Sequence, residues 1–335
     1  MKIIIPMAGR GSRLRPHTLT VPKPLVPVVG KPLVQRIVED LKSAYGGEIE
    51  EVAFIIGDFG EAVERDLLKV ADSIGAKGSI YYQKQPLGTA HAILCAEDSL
   101  EGNLIVAFAD TLFKADFQFD PEQDGYIWVQ RVEDPSAFGV IVTDDNDVIT
   151  EFVEKSPVFV SDLAIVGIYY FRDGENLKRE LRYLLDNDIK DKGEYQLTNA
   201  LENMRAKGLK FKPARIEEWL DCGNKDNMIA TNHRMLEIKQ EQEEYTAASA
   251  QVVNSVLIQP CYIGENAVIE DSVVGPHVSI GNNSTVRRSV IRDSIVQNET
   301  TVTDANLNGS MIGNKATYQG HPRDVSIGDF SSVTE

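Results

Sequence analysis

Past residue 248 the spacing of aliphatic residues stops matching either a helix or an alternating strand. Ile263, Ile269, Val274, Ile280, Val286, Ile291, Val296, Val302, Leu307 and Ile312 recur in steps of six and five, and Gly follows several of them, as in Ile263-Gly264, Ile280-Gly281 and Ile312-Gly313. A helix returns to its apolar face every three to four residues, and a half-buried strand every two. Steps of six belong instead to a hexapeptide-type parallel β-helix, where each short flat strand sends one aliphatic side chain into a prism core. Residues 249–330 are therefore expected to form such a domain, with the five-residue steps read as slips of register.

Upstream, residues 1–225 alternate strand and helix. Apolar runs at 2–6, 52–56, 79–83 and 104–109 read as strands, and the stretches 33–41, 62–70 and 89–97 read as helices. Further strands fit 126–131, 139–143, 148–153 and 164–171, with the polar turn Asp144-Asp145-Asn146-Asp147 closing a hairpin. Helices fit 175–187 and 195–206. Short apolar strands alternating with helices predict a mixed, mainly parallel, Rossmann-like α/β sheet covered on both faces. A charged, helix-like stretch at 226–248 reads as the connector to the β-helix.

The net charge of −17 argues against nucleic-acid coating or an anionic membrane as partner, since both need a basic footprint. No segment approaches the roughly eighteen apolar residues of a membrane span, and Ile3-Ile4-Ile5 before Pro6 is too short for a signal peptide. Three widely spaced cysteines, Cys95, Cys222 and Cys261, suggest reduced thiols and a cytoplasmic protein.

Against that acidic background the first 38 residues hold seven Lys or Arg and no Asp or Glu. The strand 2–6 runs into Ala8-Gly9-Arg10-Gly11-Ser12-Arg13, and Pro22-Lys23-Pro24 follows. Glycines let backbone N–H groups close around an anion, and Arg adds charge-assisted bonds. The loop is neither a Walker P-loop, lacking Gly-Lys-Ser/Thr, nor a dinucleotide fingerprint, since position 14 is Leu. Asp110 ends an apolar strand, where open α/β sheets bind ligands. Asp221 ends another, and paired carboxylates suit Mg²⁺.

These residues resemble the sugar-1-phosphate nucleotidyltransferases (sugar-nucleotide pyrophosphorylases). That family opens with a strand, Gly-x-Gly-Ser/Thr-Arg-Leu/Met and Pro-Lys-Pro. Pro86-Leu87-Gly88-Thr89-Ala90, Ala109-Asp110, Phe138-Gly139-Val140, Glu154-Lys155, Gly167-Ile168-Tyr169-Tyr170, Lys192-Gly193-Glu194 and Trp219-Leu220-Asp221 match its later motifs in order. The tail resembles the left-handed β-helix of some members.

The resemblance implies an enzyme that joins UTP or dTTP to a hexose 1-phosphate and releases pyrophosphate, with Mg²⁺ held by Asp110 and Asp221. It implies catalytic roles for Arg13, Lys23 and Asp110. It places the nucleotide against Ala8, Gly9, Arg10, Gly11, Ser12, Arg13, Lys23, Gln83, Pro86, Gly88, Thr89 and Asp110, with Gln83 reading the base. It places the sugar phosphate against Gly139, Glu154, Lys155, Val166 and Lys192. A pyrimidine base fits an amide at 83 with no acid from Tyr81 to His91, and His91 is expected only to pack or cap. The alternatives are a GTP-using mannose-1-phosphate guanylyltransferase and a non-catalytic regulatory or scaffold subunit of the same architecture. A homo-oligomer is expected. Acyltransferase chemistry in the tail would have only His277 and His321 as bases.

Overall fold

The computed structural model describes residues 1–114, 120–332 and 334. The chain divides into two compact units, Met1–Val26 with Lys31–Gly223, and Pro27–Gly30 with Asn224–Glu335.

The first unit is built on a nine-stranded mixed sheet. Its parallel part holds β1 (Lys2–Pro6), β2 (Glu51–Ile56), β3 (Lys77–Tyr82) and β4 (Leu104–Ala107), in the spatial order β3-β2-β1-β4. The ribbon strand β5 (Thr111–Lys114) follows β4. Beyond β4 lies β9 (Leu163–Phe171), antiparallel to β4, to β6 (Gly125–Arg131) and to β7 (Gly139–Thr143). β7 forms a hairpin with β8 (Ile149–Glu154), closed by the Asp144 carboxylate accepting from the N–H groups of Asn146 and Val148. β10 (Phe211–Arg215) runs parallel beside β6.

The helices are α1 (Leu33–Tyr45), α2 (Glu61–Ser73), α3 (Thr89–Leu94), α4 (Gly174–Asp186) and α5 (Leu197–Ala206). α3 stops short of the expected residue 97, where a single 3₁₀ turn at Glu97–Ser99 takes over. Strand side chains alternate across the sheet. Ile4 joins Ala53, Ile55 and Val106 in a cluster with Ala90 and Ile93 of α3, Leu181 of α4 and Leu201 of α5. Ile3 and Ile5 are equally buried, so the sheet is covered on both faces.

The strand order reverses at β1–β4. The chain leaves β1 toward β2 on one side and reaches β4 only after α3. Crevices at such a switch point, beyond the strands' C-terminal ends, are where open α/β sheets bind ligands. The loop 7–25 and residues Ala109-Asp110 emerge there.

The second unit opens with α6 (Lys225–Lys239), capped by Asn224, whose side chain accepts from the Asn227 N–H at 2.9 Å. A left-handed β-helix of hexapeptide type follows, built as three stacks of short parallel strands. Every aliphatic residue of the repeat from Ile263 to Val302 is buried in one core cluster, together with Leu307. The five-residue steps are real sides of the prism and not slips. Partners in successive coils lie 17 residues apart at Cys261↔Val278 and 16 apart at Val278↔Ser294, where three full hexapeptides would give 18.

Two side-chain ladders run along the coils. The side-chain oxygens of Asn282, Asn298 and Asn314 accept from the backbone N–H of Glu265, Asn282 and Asn298, each one coil earlier. The hydroxyls of Ser255, Ser272 and Ser289 accept in the opposite sense, from the N–H of Ser272, Ser289 and Ala305 one coil later. Among the described residues, no helix is long and apolar enough to cross a membrane.

Ile280 is fully buried in the β-helix core. Ile280→Ala should lower stability by about 2–5 kcal/mol, the usual cost of an Ile-sized cavity. Urea denaturation followed by far-UV circular dichroism measures it, and a loss below about 0.5 kcal/mol would contradict a prism core closed at this position.

Candidate active site

A cavity of about 430 Å³ opens at the switch point. Ala8, Gly9, Gly11, Ser12 and Arg13 form one wall, Gln83, Pro86, Gly88 and Thr89 another, and Lys23 and Asp110 lie at its base. All belong to the first unit.

Gly11 is required for two reasons. Its φ is +62°, in the left-handed region, and a Cβ there would stand 2.7 Å from the Cβ of Lys23. The Thr18 hydroxyl donates to the Gly11 carbonyl at 2.8 Å and pins the turn. Lys23 is thereby pushed into the protein, and its side chain is only 8% exposed. Its ammonium donates to the Asp110 carbonyl oxygen at 3.1 Å and lies 4.0 Å from the Asp110 carboxylate. A buried ammonium carries three donors and is costly unless they are paired. Lys23 makes this one hydrogen bond among the described residues, and it lines the cavity. Its spare donors suit an anion. Arg13 is exposed at the rim.

The Asp110 carbonyl also accepts from the N–H of Cys222 at 3.3 Å. This bond continues a two-stranded ribbon in which β11 (Glu218–Asp221) pairs antiparallel with β5, setting Asp221 opposite Thr111. Asp110 and Asp221 are thus neighbours through this ribbon and not through ends of the main sheet. Both carboxylates are exposed, and the Gly223 N–H fixes one oxygen of Asp221 at 2.8 Å. Exposed carboxylate oxygens suit a hard cation such as Mg²⁺.

The Gln83 amide nitrogen donates to the Gly88 carbonyl at 3.2 Å, which fixes which end of the amide is nitrogen. The same nitrogen lies 3.1 Å from His91 Nδ1. Burial holds the His91 imidazole below the ordinary histidine range, so at neutral pH the ring is uncharged and Nδ1 accepts. Both amide protons are therefore engaged, and the oxygen is left as the amide's remaining acceptor. His91 does more than pack or cap. Its place as the third residue of α3, after Gly88, gives no sequence sign of this contact.

The expected sugar-phosphate residues form a second group. Gly139 pairs with Glu154 across the β7–β8 hairpin, and a Cβ at 139 would meet a Glu154 carboxylate oxygen at 3.1 Å. Glu154 accepts from the Thr198 hydroxyl at 3.0 Å and lies 3.4 Å from the Lys155 ammonium. The Lys192 ammonium donates to the Lys155 carbonyl at 2.7 Å. Val166 is buried in β9, where the ladder to β6 is interrupted between Ile165 and Tyr169. None of these five lines the 430 Å³ cavity. Arg10 is also outside it, lining a neighbouring hollow with Arg15 and Asp58.

Segment 194–197 joins the two groups. The N–H of Tyr195 donates to the Leu87 carbonyl, the N–H of Ala90 to the Tyr195 carbonyl, and the N–H of Leu197 to the Thr89 hydroxyl. Gly88, at φ +116°, has no room for a Cβ, which would stand 2.4 Å from the Tyr195 carbonyl oxygen. Glu194 consequently lines the cavity beside Gly88. It places a carboxylate where the local sequence 81–91 has none, and only the long-range pairing reveals it.

Two family models match the chain, "Nucleotidyl transferase" over residues 2–238 and "GlmU-like, C-terminal hexapeptide" over 243–309. A glucose-1-phosphate thymidylyltransferase of Streptomyces antibioticus is 32% identical, covering 99% of this chain and 99% of its own length. A mannose-1-phosphate guanylyltransferase catalytic subunit beta of Danio rerio is 32% identical over 79% of this chain and 74% of its own. A crystal structure of UDP-glucose pyrophosphorylase with UDP-glucose superposes with a TM-score of 0.57 at 25% identity, covering 71% of this chain and 98% of that one.

Lys23→Met removes a buried charge without orphaning its acceptor, because Cys222 still donates to the Asp110 carbonyl. Stability should change by less than about 1 kcal/mol, because the Asp110 carboxylate that loses its counter-charge is exposed to water and stands 4.0 Å away. Thermal melts with and without pyrophosphate check this. The variant should match the unaltered chain in the melt and lose any shift on adding pyrophosphate. A clear fall in Tm would mean that Lys23 is a structural cation.

Proposed function

We infer the reaction of this chain from the family to which it belongs, the nucleotidyl transferases, in its sugar-1-phosphate branch: it transfers a nucleotidyl group from UTP or dTTP to a hexose 1-phosphate, giving an NDP-sugar and pyrophosphate. The observation that carries this reading is Lys23, a buried ammonium with spare donors at the base of a cavity walled by a Gly-Arg loop.

The nucleophile is a phosphate oxygen that is already anionic, so no general base is needed. It attacks the α-phosphorus in line, and the bond to the β-phosphate oxygen breaks. The protein then acts by positioning and by countering charge. The backbone of Gly9–Gly11 cradles the triphosphate, and Arg13 holds the leaving pyrophosphate. Lys23 offsets charge at the α-phosphate, where attacking and leaving oxygens meet. Asp110 and Asp221 would hold Mg²⁺, which when bound neutralises phosphate charge. Glu154 accepts bonds from sugar hydroxyls, while Lys155 and Lys192 face the sugar phosphate. The Gln83 oxygen accepts the N3–H of uracil or thymine.

Glu194 favours a second reading. A carboxylate beside Gly88 suits the N1–H and N2–H donors of guanine, and the guanylyltransferase relative has the same 32% identity as the thymidylyltransferase, over 79% of the chain against 99%. Nucleoside triphosphates crossed with hexose 1-phosphates, read by pyrophosphate release, separate the two. UTP or dTTP should lead, and Lys23→Ala should lower turnover by about 10²-fold or more, the scale of a lost transition-state donor. GTP leading, with Glu194→Gln removing that preference, would establish the guanine reading. Near-normal release by Lys23→Ala with every nucleotide would refute the assignment.

His91→Phe removes one of the two acceptors that turn the Gln83 amide. The nucleotide KM should rise about 2- to 10-fold, matching the ~0.5–1.5 kcal/mol net value of a hydrogen bond, while kcat changes less. Steady-state kinetics with the preferred nucleotide tests this, and an unchanged KM would show that Gln83 is oriented without His91.

A further inference from the structure

Helix α6 carries His233 and Glu237 one turn apart on one face, and it packs on the β-helix strands Val278–Ile280 and Ser294–Val296. His277 and Asp293 stand directly before those two strands, at equivalent corners of successive coils. Their N–H groups donate to the carbonyls of Pro260 and Pro276 one coil earlier. Stacked corners are about 4.8 Å apart, so the helix lays its histidine and its glutamate over a histidine and an aspartate.

The two imidazoles lie face to face, with centroids 3.3 Å apart and planes 10° from parallel. On one edge, Nδ1 of His233 and of His277 lie 3.0 and 3.6 Å from the same Asp293 oxygen. On the other edge both Nε2 atoms lie 3.4 Å from one Glu237 oxygen. The other Glu237 oxygen accepts from Arg234 at 2.6 Å. Two neutral rings own two N–H groups between them, yet four ring nitrogens face carboxylates. At least two approaches therefore set a lone pair against a carboxylate oxygen, and a dication would relieve them.

We propose that His233 Nδ1, His277 Nδ1 and Asp293 Oδ1 bind a divalent transition-metal ion of the Zn²⁺ class, separate from the hard-cation site at Asp110 and Asp221. Bonds of about 2.0–2.1 Å in tetrahedral geometry set donors roughly 3.3 Å apart, and the nitrogen–oxygen spacings of 3.0 and 3.6 Å bracket that value. The ligand atoms of all three residues lie within 4.8 Å of one another. Glu237, steadied by Arg234, takes the Nε2–H of both rings, the partner that metal-bound imidazoles ordinarily have. Two imidazoles and a carboxylate suit Zn²⁺ better than Mg²⁺. In parallel rings the lone pairs run side by side, so binding splays the stack. His233 and Asp293 are each 39% exposed, which leaves the ion a path and room for a water ligand. The ion would fasten α6 to two coils of the β-helix.

The test uses the full chain, stripped with a chelator and then kept in excess Mg²⁺ to fill oxygen-ligand sites. Co²⁺ is titrated by visible absorption and Zn²⁺ by calorimetry. One equivalent per chain should bind with the intense d–d bands of a four- or five-coordinate site, and Zn²⁺ should bleach them. His277→Ala and Asp293→Asn should abolish the bands, and Glu237→Gln should weaken affinity by about 10- to 100-fold. Melts without added metal confirm that the variants fold. Pale six-coordinate Co²⁺, or equal binding by folded His277→Ala, would overturn the site and leave a proton-bridged histidine pair.

Discussion

The carbonyl oxygen of Asp110 accepts from the buried Lys23 ammonium and from the Cys222 N–H. Three distant stretches meet on that one atom: the loop after the first strand, the end of the central strand, and the ribbon that brings in Asp221. It ties the cationic loop to the end of the central strand and links that strand end to the ribbon carrying Asp221. The contact also sets the local charge balance. Lys23 is committed to a neutral carbonyl, and the nearest carboxylate oxygen, on the exposed Asp110, stands 4.0 Å away at the outer limit of an ion pair.

A second dependence is mutual. The 194–197 segment and the base loop bond through backbone groups in both directions, with Gly88 pressed against Tyr195. In the proposed reaction, a nucleotide seated on the loop and a sugar phosphate seated near Lys192 would be held by segments bonded directly to each other, which favours a fixed approach of the reacting atoms.

Much of this was legible in the sequence because it is local. The Gly-Arg loop after an apolar strand, Asp110 after another, and the six-residue aliphatic period each state their structure within a dozen residues. What could not be read is long-range. Glu194 reaches the base loop only through pairing across about a hundred positions. His91 is an ordinary helix residue until Gln83 is folded against it. The five-residue steps look like register errors until the coils show that the prism has shorter sides. His277 shows in the sequence only as a tail histidine, and its stacking on His233 of the earlier helix α6 has no local sign. Arg10 lies next to Gly9 and Gly11 in the motif, yet in the fold it lines a neighbouring hollow with Arg15 and Asp58.

The asparagine ladder gives the β-helix a direction. Each corner N–H is satisfied by the next coil, from Asn314 back through Asn298 and Asn282 to Glu265, while the serine ladder leans the other way. Peeling off the last coil would therefore orphan donors in the coil before it, and peeling off the first would orphan donors in the one after. Neither end can fray without exposing a debt in its neighbour. The domain is thus a column whose interior coils are bonded by side chains from both sides.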